Sequence, residues 1–195
     1  MVVRAVVFDL DGVIRHFDPS HRPAVERRHG LTAGSLEEAA WQPHLSRPVT
    51  TGAMTRAQWV SAVGEAVGSH AAAREWLGHA GSVDREMLDV VDEIRAAGLS
   101  VSVLTNGTDT VPAELEHHGI AQRFDRVFNS WDLGLAKPDP GVYLRVCGAL
   151  DVDPTHTFFA DDREANVEGA RHAGLQACLF VSIDDLRVRL DSVGV

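Results

Sequence analysis

The sequence predicts a doubly wound α/β fold on a parallel sheet, with a small helical unit inserted after the first strand. Three observations carry this. Across residues 84–195 short apolar runs alternate with helical stripes, the spacing of strands and crossover helices. The run from Val2 to Leu10 is apolar but for Arg4 and, at its end, Asp9, as in a strand covered on both faces. From Phe17 to about Val83 no comparable run occurs, and Ala, Arg, Glu, His and Trp dominate. The expected division is a catalytic core at 1–15 and 84–195, with a helical insertion at 16–83.

Each element has its own signal. In the insertion, Pro23 to Arg28, Leu36 to Trp41, Thr55 to Val63 and Ala71 to Leu77 read as short helices, with breaks at Gly30, Gly34, Pro43, Pro48, Gly52, Gly68 and Gly78. The next helix places Met87, Leu88, Val90, Val91, Ile94 and Ala97 on one stripe, with Asp84 as N-cap and Gly98 as the stop. Leu99 to Leu104 reads as a strand running into Thr105-Asn106-Gly107, followed by a helix at 110–118 ending at Gly119. Phe124 to Phe128 is a further strand, and Pro140 opens a helix at 140–149 with the fixed φ suited to a first turn. Thr157 to Ala160 is a strand ending in Asp161-Asp162, a helix at 164–173 stops at Gly174, and Leu175 to Val181 is the last strand before a terminal helix near 184–190.

Composition excludes several classes. The chain has 195 residues and a formal charge of -10, which argues against a general nucleic-acid binder but not against one small phosphorylated ligand held in a local cationic pocket. Cys147 and Cys178 lie in apolar segments without C-x-x-C spacing and read as buried thiols of a reducing compartment. No signal-peptide pattern or membrane-length apolar run is seen, so a cytoplasmic location without a membrane partner is expected, as a monomer or homodimer. Adjacent His117 and His118 do not share a helix face, which argues against a zinc site. Trp41, Trp59 and Trp76 read as core of the insertion rather than sugar-stacking platforms.

The chemistry gathers where the strands end. Asp9 and Asp11 close the first strand at a spacing that would point both carboxylates the same way, and such a pair calls for a divalent cation or a transferring phosphoryl group. In doubly wound sheets ligands lie outside the carboxyl ends of the strands. That rule brings Asp9 and Asp11, Thr105-Asn106-Gly107, Lys137 and Asp161-Asp162 together as a metal-plus-phosphate constellation. Arg15, His16 and Phe17 follow the acidic loop and either line the entrance or form an ordinary hinge.

Four motifs in order, Asp9-Leu10-Asp11-Gly12, Leu104-Thr105-Asn106-Gly107, Lys137-Pro138 and Phe159-Ala160-Asp161-Asp162, resemble those of the haloacid dehalogenase-like (HAD) superfamily, phosphatase branch. The insertion occupies the place of that family's helical C1 cap, on a Rossmann-like core. Ser130 to Pro138 with the Asp161-Asp162 pair is similar to glucose-1-phosphate phosphatases and the N-terminal phosphatase domains of epoxide hydrolases. The resemblance implies a Mg²⁺-dependent phosphatase for a small monoester, with Asp9 as nucleophile forming an aspartyl-phosphate and Asp11 as general acid, then base. It implies that Thr105 and the N–H groups of Asn106 and Gly107 hold phosphoryl oxygens, and that Lys137 neutralises charge on them and on Asp9. It further implies Mg²⁺ on Asp9, the Asp11 carbonyl and Asp162, with Asp161 beside it or behind. Many relatives carry Gly-Asp and a later Asp where this chain has Asp161-Asp162 and Asn166; the latter is expected to orient Lys137 or a metal-bound water. Haloacid dehalogenases share the fold and nucleophile but need neither metal nor a second acid, so Asp11 and the acidic pair count against that chemistry. A sugar-phosphate mutase and a non-catalytic binding protein are the other readings.

Overall fold

The computed structural model describes residues 2–195; Met1, which the expected core unit includes, lies outside the described residues. The chain opens with β1 (Ala5–Phe8) and a short strand β2 (Arg15–His16). Helices α1 (His21–Arg28), α2 (Ser35–Ala40), α3 (Pro43–Thr50), α4 (Arg56–Val67) and α5 (His70–Leu77) follow, then β3 (Ser82–Val83) and α6 (Arg85–Ala96). The remainder alternates: β4 (Ser100–Thr105), α7 (Val111–His117), β5 (Arg126–Asn129), α8 (Ser130–Leu133), α9 (Pro140–Leu150), β6 (Thr157–Asp161), α10 (Glu164–His172), β7 (Gln176–Leu179) and α11 (Ile183–Ser192).

Among the described residues the main sheet has five strands in the order β5-β4-β1-β6-β7, all parallel, so β1 is central. Its side chains obey the two-residue period of a strand. Val6 and Phe8 enter one apolar cluster with Met87, Val91, Val103 and Leu186 from α6, β4 and α11. Val7 enters the opposite cluster with Leu104, Tyr143, Val146 and Phe159. Both faces are covered, which is why β1 reads as an uninterrupted apolar run.

The insertion has a core of its own, made by Val25, Leu36, Val49, Trp59, Val63, Ala73 and Leu77. It joins the sheet through a two-stranded ribbon in which β2 and β3 pair antiparallel, Arg15 opposite Val83 and His16 opposite Ser82. Its helices sit against the core at several points: Trp131 Nε1 donates to the Met54 carbonyl at 3.1 Å, and the Arg56 N–H donates to Asp109 Oδ1 at 2.6 Å. Gly52, with φ of 83°, lies so near α8 that a Cβ there would meet the Trp131 carbonyl oxygen at 2.5 Å.

One expectation requires correction. Pro43 does follow a break, opening α3 at the first turn where its missing N–H costs nothing, but Pro48 lies inside that helix. Burial of Leu45 and Val49 against the insertion core outweighs the one lost backbone bond. The ribbon β2–β3 was not expected, because two-residue strands carry no periodicity. Trp59 is buried and its indole N–H donates to the Ala40 carbonyl, whereas Trp41 packs on it from the surface. Both cysteines are buried and free, and among the described residues no helix is long and apolar enough to cross a membrane.

Helix α2 is preceded by Gly34, which offers no side-chain cap. Its orphan donors are met from α1 instead: buried Glu26 accepts from Gly34 N at 2.9 Å and Leu36 N at 3.1 Å while facing Arg22. Glu26→Ala is expected to cost about 3 kcal/mol in chemical denaturation, because the buried Leu36 N–H and the half-buried Gly34 N–H lose their acceptor. A loss below about 0.5 kcal/mol would show that water replaces the carboxylate.

Candidate active site

β1 ends at Phe8, and the backbone then leaves the sheet in a tight loop. Asp9 N donates to the Ala160 carbonyl at 2.9 Å as the last rung, and Ile14 N and Arg15 N both return to the Leu10 carbonyl. This loop changes the expected direction of the acidic pair. Asp9 turns inward, while the Asp11 carboxylate pairs with Arg15, Nε to Oδ1 at 2.6 Å and Nη2 to Oδ2 at 3.1 Å. The alternation of a strand does not extend through a loop, so the two carboxylates have separate partners.

Lys137 is the centre of the site. Its side chain is 1% exposed, and Nζ lies 2.8 Å from Asp9 Oδ1 and 2.6 Å from Asp161 Oδ2. Its backbone is fixed by Asn106, whose side chain accepts from Lys137 N and donates to Lys137 O, each at 2.8 Å. That reciprocal pair ties the end of β4 to the Lys137-Pro138 segment. The Asn106 side chain was not anticipated in this role; the signal available was an amide, the one side chain able to donate and accept like a peptide.

Asp161 is fully buried and saturated. Oδ1 accepts from Arg163 N and Asn166 Nδ2, both at 2.9 Å, and Oδ2 takes Lys137 and the same amide at 3.0 Å. Asn166 therefore reaches Lys137 through Asp161 rather than by direct contact, and Tyr143 in turn donates to the Asn166 carbonyl at 2.6 Å. Asp162 is exposed and leans over Gly12, where a Cβ would meet its Oδ2 at 2.2 Å; with φ of 93°, Gly12 supplies both the turn and the space. Thr105 is buried at the end of β4, and Gly107 is enclosed by Val111 and Asn129 at distances no Cβ could occupy.

Burial pushes the Asp9 carboxyl up to about 7; Lys137 opposes this, and the charge of Asp161 adds to it. Asp162 is also raised, by partial burial and by Asp161. Asp9, Asp161 and Asp162 each offer an oxygen within 4.8 Å of the others, an all-oxygen set suited to a hard divalent cation. The Asp11 carboxylate is not in that group. Arg15 is 4% exposed, so it does not line an entrance; it lies on β2, clamped between Asp11 and Glu114. Phe17 covers its guanidinium at 5.1 Å.

Comparison with known proteins agrees with this architecture. The family described as "Hydrolase: haloacid dehalogenase-like hydrolase" matches residues 3–174. Phosphatase MT3486 of Mycobacterium tuberculosis is 35% identical over 196 residues, spanning 92% of this chain and 88% of that protein. Validoxylamine A 7'-phosphate phosphatase of Streptomyces hygroscopicus subsp. limoneus is 25% identical, spanning 88% and 83%. Bifunctional epoxide hydrolase 2 of Sus scrofa is 27% identical over 99% of this chain, which corresponds to 39% of that longer protein. Among solved structures, a HAD family enzyme of Bacteroides thetaiotaomicron in complex with magnesium and inorganic phosphate superposes with a TM-score of 0.78 at 21% identity, covering 94% of this chain and 98% of that one, a likeness of fold. The parallel sheet, the ordered acidic, threonine and lysine motifs at its strand ends and the extent of the family match lead to one conclusion: the chain belongs to the haloacid dehalogenase-like hydrolases.

Proposed function

We propose that this hydrolase is a Mg²⁺-dependent phosphatase that cleaves a small phosphorylated metabolite, a sugar phosphate or similar monoester, through an aspartyl-phosphate on Asp9. The observation that carries the reading is the buried Lys137 ammonium bridging Asp9 and Asp161. A carboxylate nucleophile meets a phosphate dianion only where positive charge is already in place, and Lys137 supplies one such charge next to the attacking oxygen. Asp9 and Asp162 offer oxygens that would hold Mg²⁺, the Asp11 carbonyl would join them, and Asp161, occupied by Lys137 and Asn166, would stand behind. Bound Mg²⁺ would neutralise phosphoryl oxygens and keep Asp9 ionised against the burial that otherwise protonates it. Phosphatase MT3486 and the validoxylamine phosphate phosphatase support the assignment by their named activities, as does the magnesium and phosphate complex of the Bacteroides enzyme.

The steps follow from the side chains. An Asp9 oxygen attacks phosphorus in line, the bond from phosphorus to the ester oxygen breaks with its electron pair, and Asp11 gives that oxygen a proton. The Thr105 hydroxyl and the N–H groups of Asn106 and Gly107 donate to the transferring oxygens. Water then attacks phosphorus, yields its proton to Asp11, and the bond to Asp9 breaks to release inorganic phosphate. Closure of the helical insertion over the strand ends would exclude bulk water during transfer.

Two outcomes are expected. Phosphate release from p-nitrophenyl phosphate and a panel of sugar phosphates should require Mg²⁺, stop with EDTA, and fall about a thousandfold or more in Asp9→Asn; no turnover of any ester would overturn the reading. The second concerns pH. Because the folded Asp9 carboxyl lies at about 7, above its ordinary 3.8, the stability it contributes by holding a proton is full below pH 3.8 and is lost as pH rises through about 7. Mg²⁺ must displace that proton, so the rise in Tm on adding Mg²⁺ should be larger at pH 8 than at pH 5.5. Equal shifts would place the ion elsewhere.

A further inference from the structure

The sheet order leaves β5 and β7 as edge strands, and the two edges differ. β5 opens with exposed Arg126, a charge of the kind that guards an edge, whereas β7, Gln176-Ala177-Cys178-Leu179, carries none. Phe180 N donates to the Asp161 carbonyl across the ladder, so by the alternation of a strand Ala177, Leu179 and Val181 turn their backbone groups outward. Among the described residues one of these outward groups has a partner: the Ala177 carbonyl accepts from Arg171 Nε at 3.1 Å, and its second lone pair stays free. Leu179 is half-buried yet belongs to neither core cluster, and Val181 is 71% exposed. On α11, Asp185, Val188, Arg189 and Ser192 share one face by their spacing, and Val188 is 64% exposed. Arg171, Asp185 and Arg189 line a groove along β7, with buried Phe158 and Cys178 at its inner wall.

We infer that this edge is where two copies of the chain pair, β7 antiparallel to β7 across a twofold axis. Centred on Leu179, the pairing makes each Leu179 exchange two backbone hydrogen bonds with its mate and sets Ala177 opposite Val181 of the second copy. Every free outward group then finds a partner, and the two five-stranded sheets join into one. The charge pattern selects a second copy over another extended chain. α10 runs from Glu164 to Arg171 and the exposed face of α11 from Asp185 to Arg189, acid first and base last, so an antiparallel mate presents base to acid on both faces of the sheet. A groove built for an acidic peptide would hold cations alone, and this one holds both signs. At a formal charge of -10 the chain repels its own copies in general, but two arginines and one aspartate along the groove do not add to that repulsion. Leu179, Val181 and Val188, which the fold leaves wholly or partly uncovered, supply the apolar part of the contact. A four-residue strand is too small an interface by itself, stable ones burying on the order of 1,600 Å² in total, so the flanking helices are needed to complete it.

Sedimentation velocity on the intact chain, from about 1 to about 100 µM, should show a shift from the 21.1 kDa monomer toward twice that mass, with Kd in the micromolar range. Hydrogen exchange should find the Leu179 and Val181 amides slow at the top of that range and fast at the bottom. Substitutions then locate the contact. Val188→Asp should weaken the dimer about tenfold or more. Val181→Pro removes an outward N–H that the monomer does not use, so it should weaken the dimer about tenfold while the dilute protein keeps its Tm. Asp185→Arg should weaken it as well, and combining it with Arg189→Asp should restore it, because the exchange rebuilds base against acid. Circular dichroism checks the fold of each variant; should Val181→Pro not fold, Val188→Asp and the charge exchange carry the same comparison. A chain that stays monomeric at the highest concentration, with both amides exchanging freely, would overturn the proposal and leave the edge to a different extended partner. A dimer that none of these substitutions weakens would overturn it too, by placing the interface elsewhere.

Discussion

A single ammonium group enclosed between two carboxylates organises this molecule. Lys137 sits between Asp9 and Asp161 with almost no exposure, and a buried charge in that setting is tolerated only when paired and hydrogen-bonded. The structure meets the requirement on every side. Asn106 clamps the lysine backbone, Asn166 and the Arg163 N–H occupy the Asp161 oxygens, and Tyr143 braces Asn166 from behind. Removing any one partner would leave a charge or a polar group unmatched in the interior, so the group behaves as a unit.

The sheet makes this possible. The strands bearing Asp9, Thr105 and Asp161 are neighbours in the order β4-β1-β6, in parallel register, so their ends emerge side by side. Parallel strands require crossover helices, and those helices cover both faces, leaving the carboxyl-end edge as the place where polar groups gather. Glycines finish the arrangement where side chains would collide: Gly12 admits Asp162, and Gly107 lets the backbone after β4 close against Asn129.

The helical insertion is built separately, around its own apolar cluster, and is joined to the sheet by a narrow ribbon and a few polar contacts. The apolar cluster of the insertion is thereby distinct from the two that cover the sheet. Arg15 lies where the ribbon meets the acidic loop, and its side chain ties the two together through Asp11.

Periodicity and punctuation in the sequence determined the sheet, its parallel sense, the helices of the core and the strand ends at which Asp9, Thr105 and Asp161 lie, because burial on two faces and glycine stops leave local marks. Some features leave no such mark. A proline inside α3 reads as a break until the packing of Leu45 and Val49 is known, and a two-residue ribbon has no period to detect. The strand rule also sent Asp9 and Asp11 in one direction, when the loop after Phe8 separates them. Tertiary structure alone decided that Asn106 clamps Lys137 across 31 positions, that Asp161 rather than Asp162 takes the lysine, and that Arg15 joins Asp11 to Glu114, 99 positions away. These are pairings between distant residues whose partners are chosen by which chain segments the sheet order brings together, and no local window of sequence contains that order.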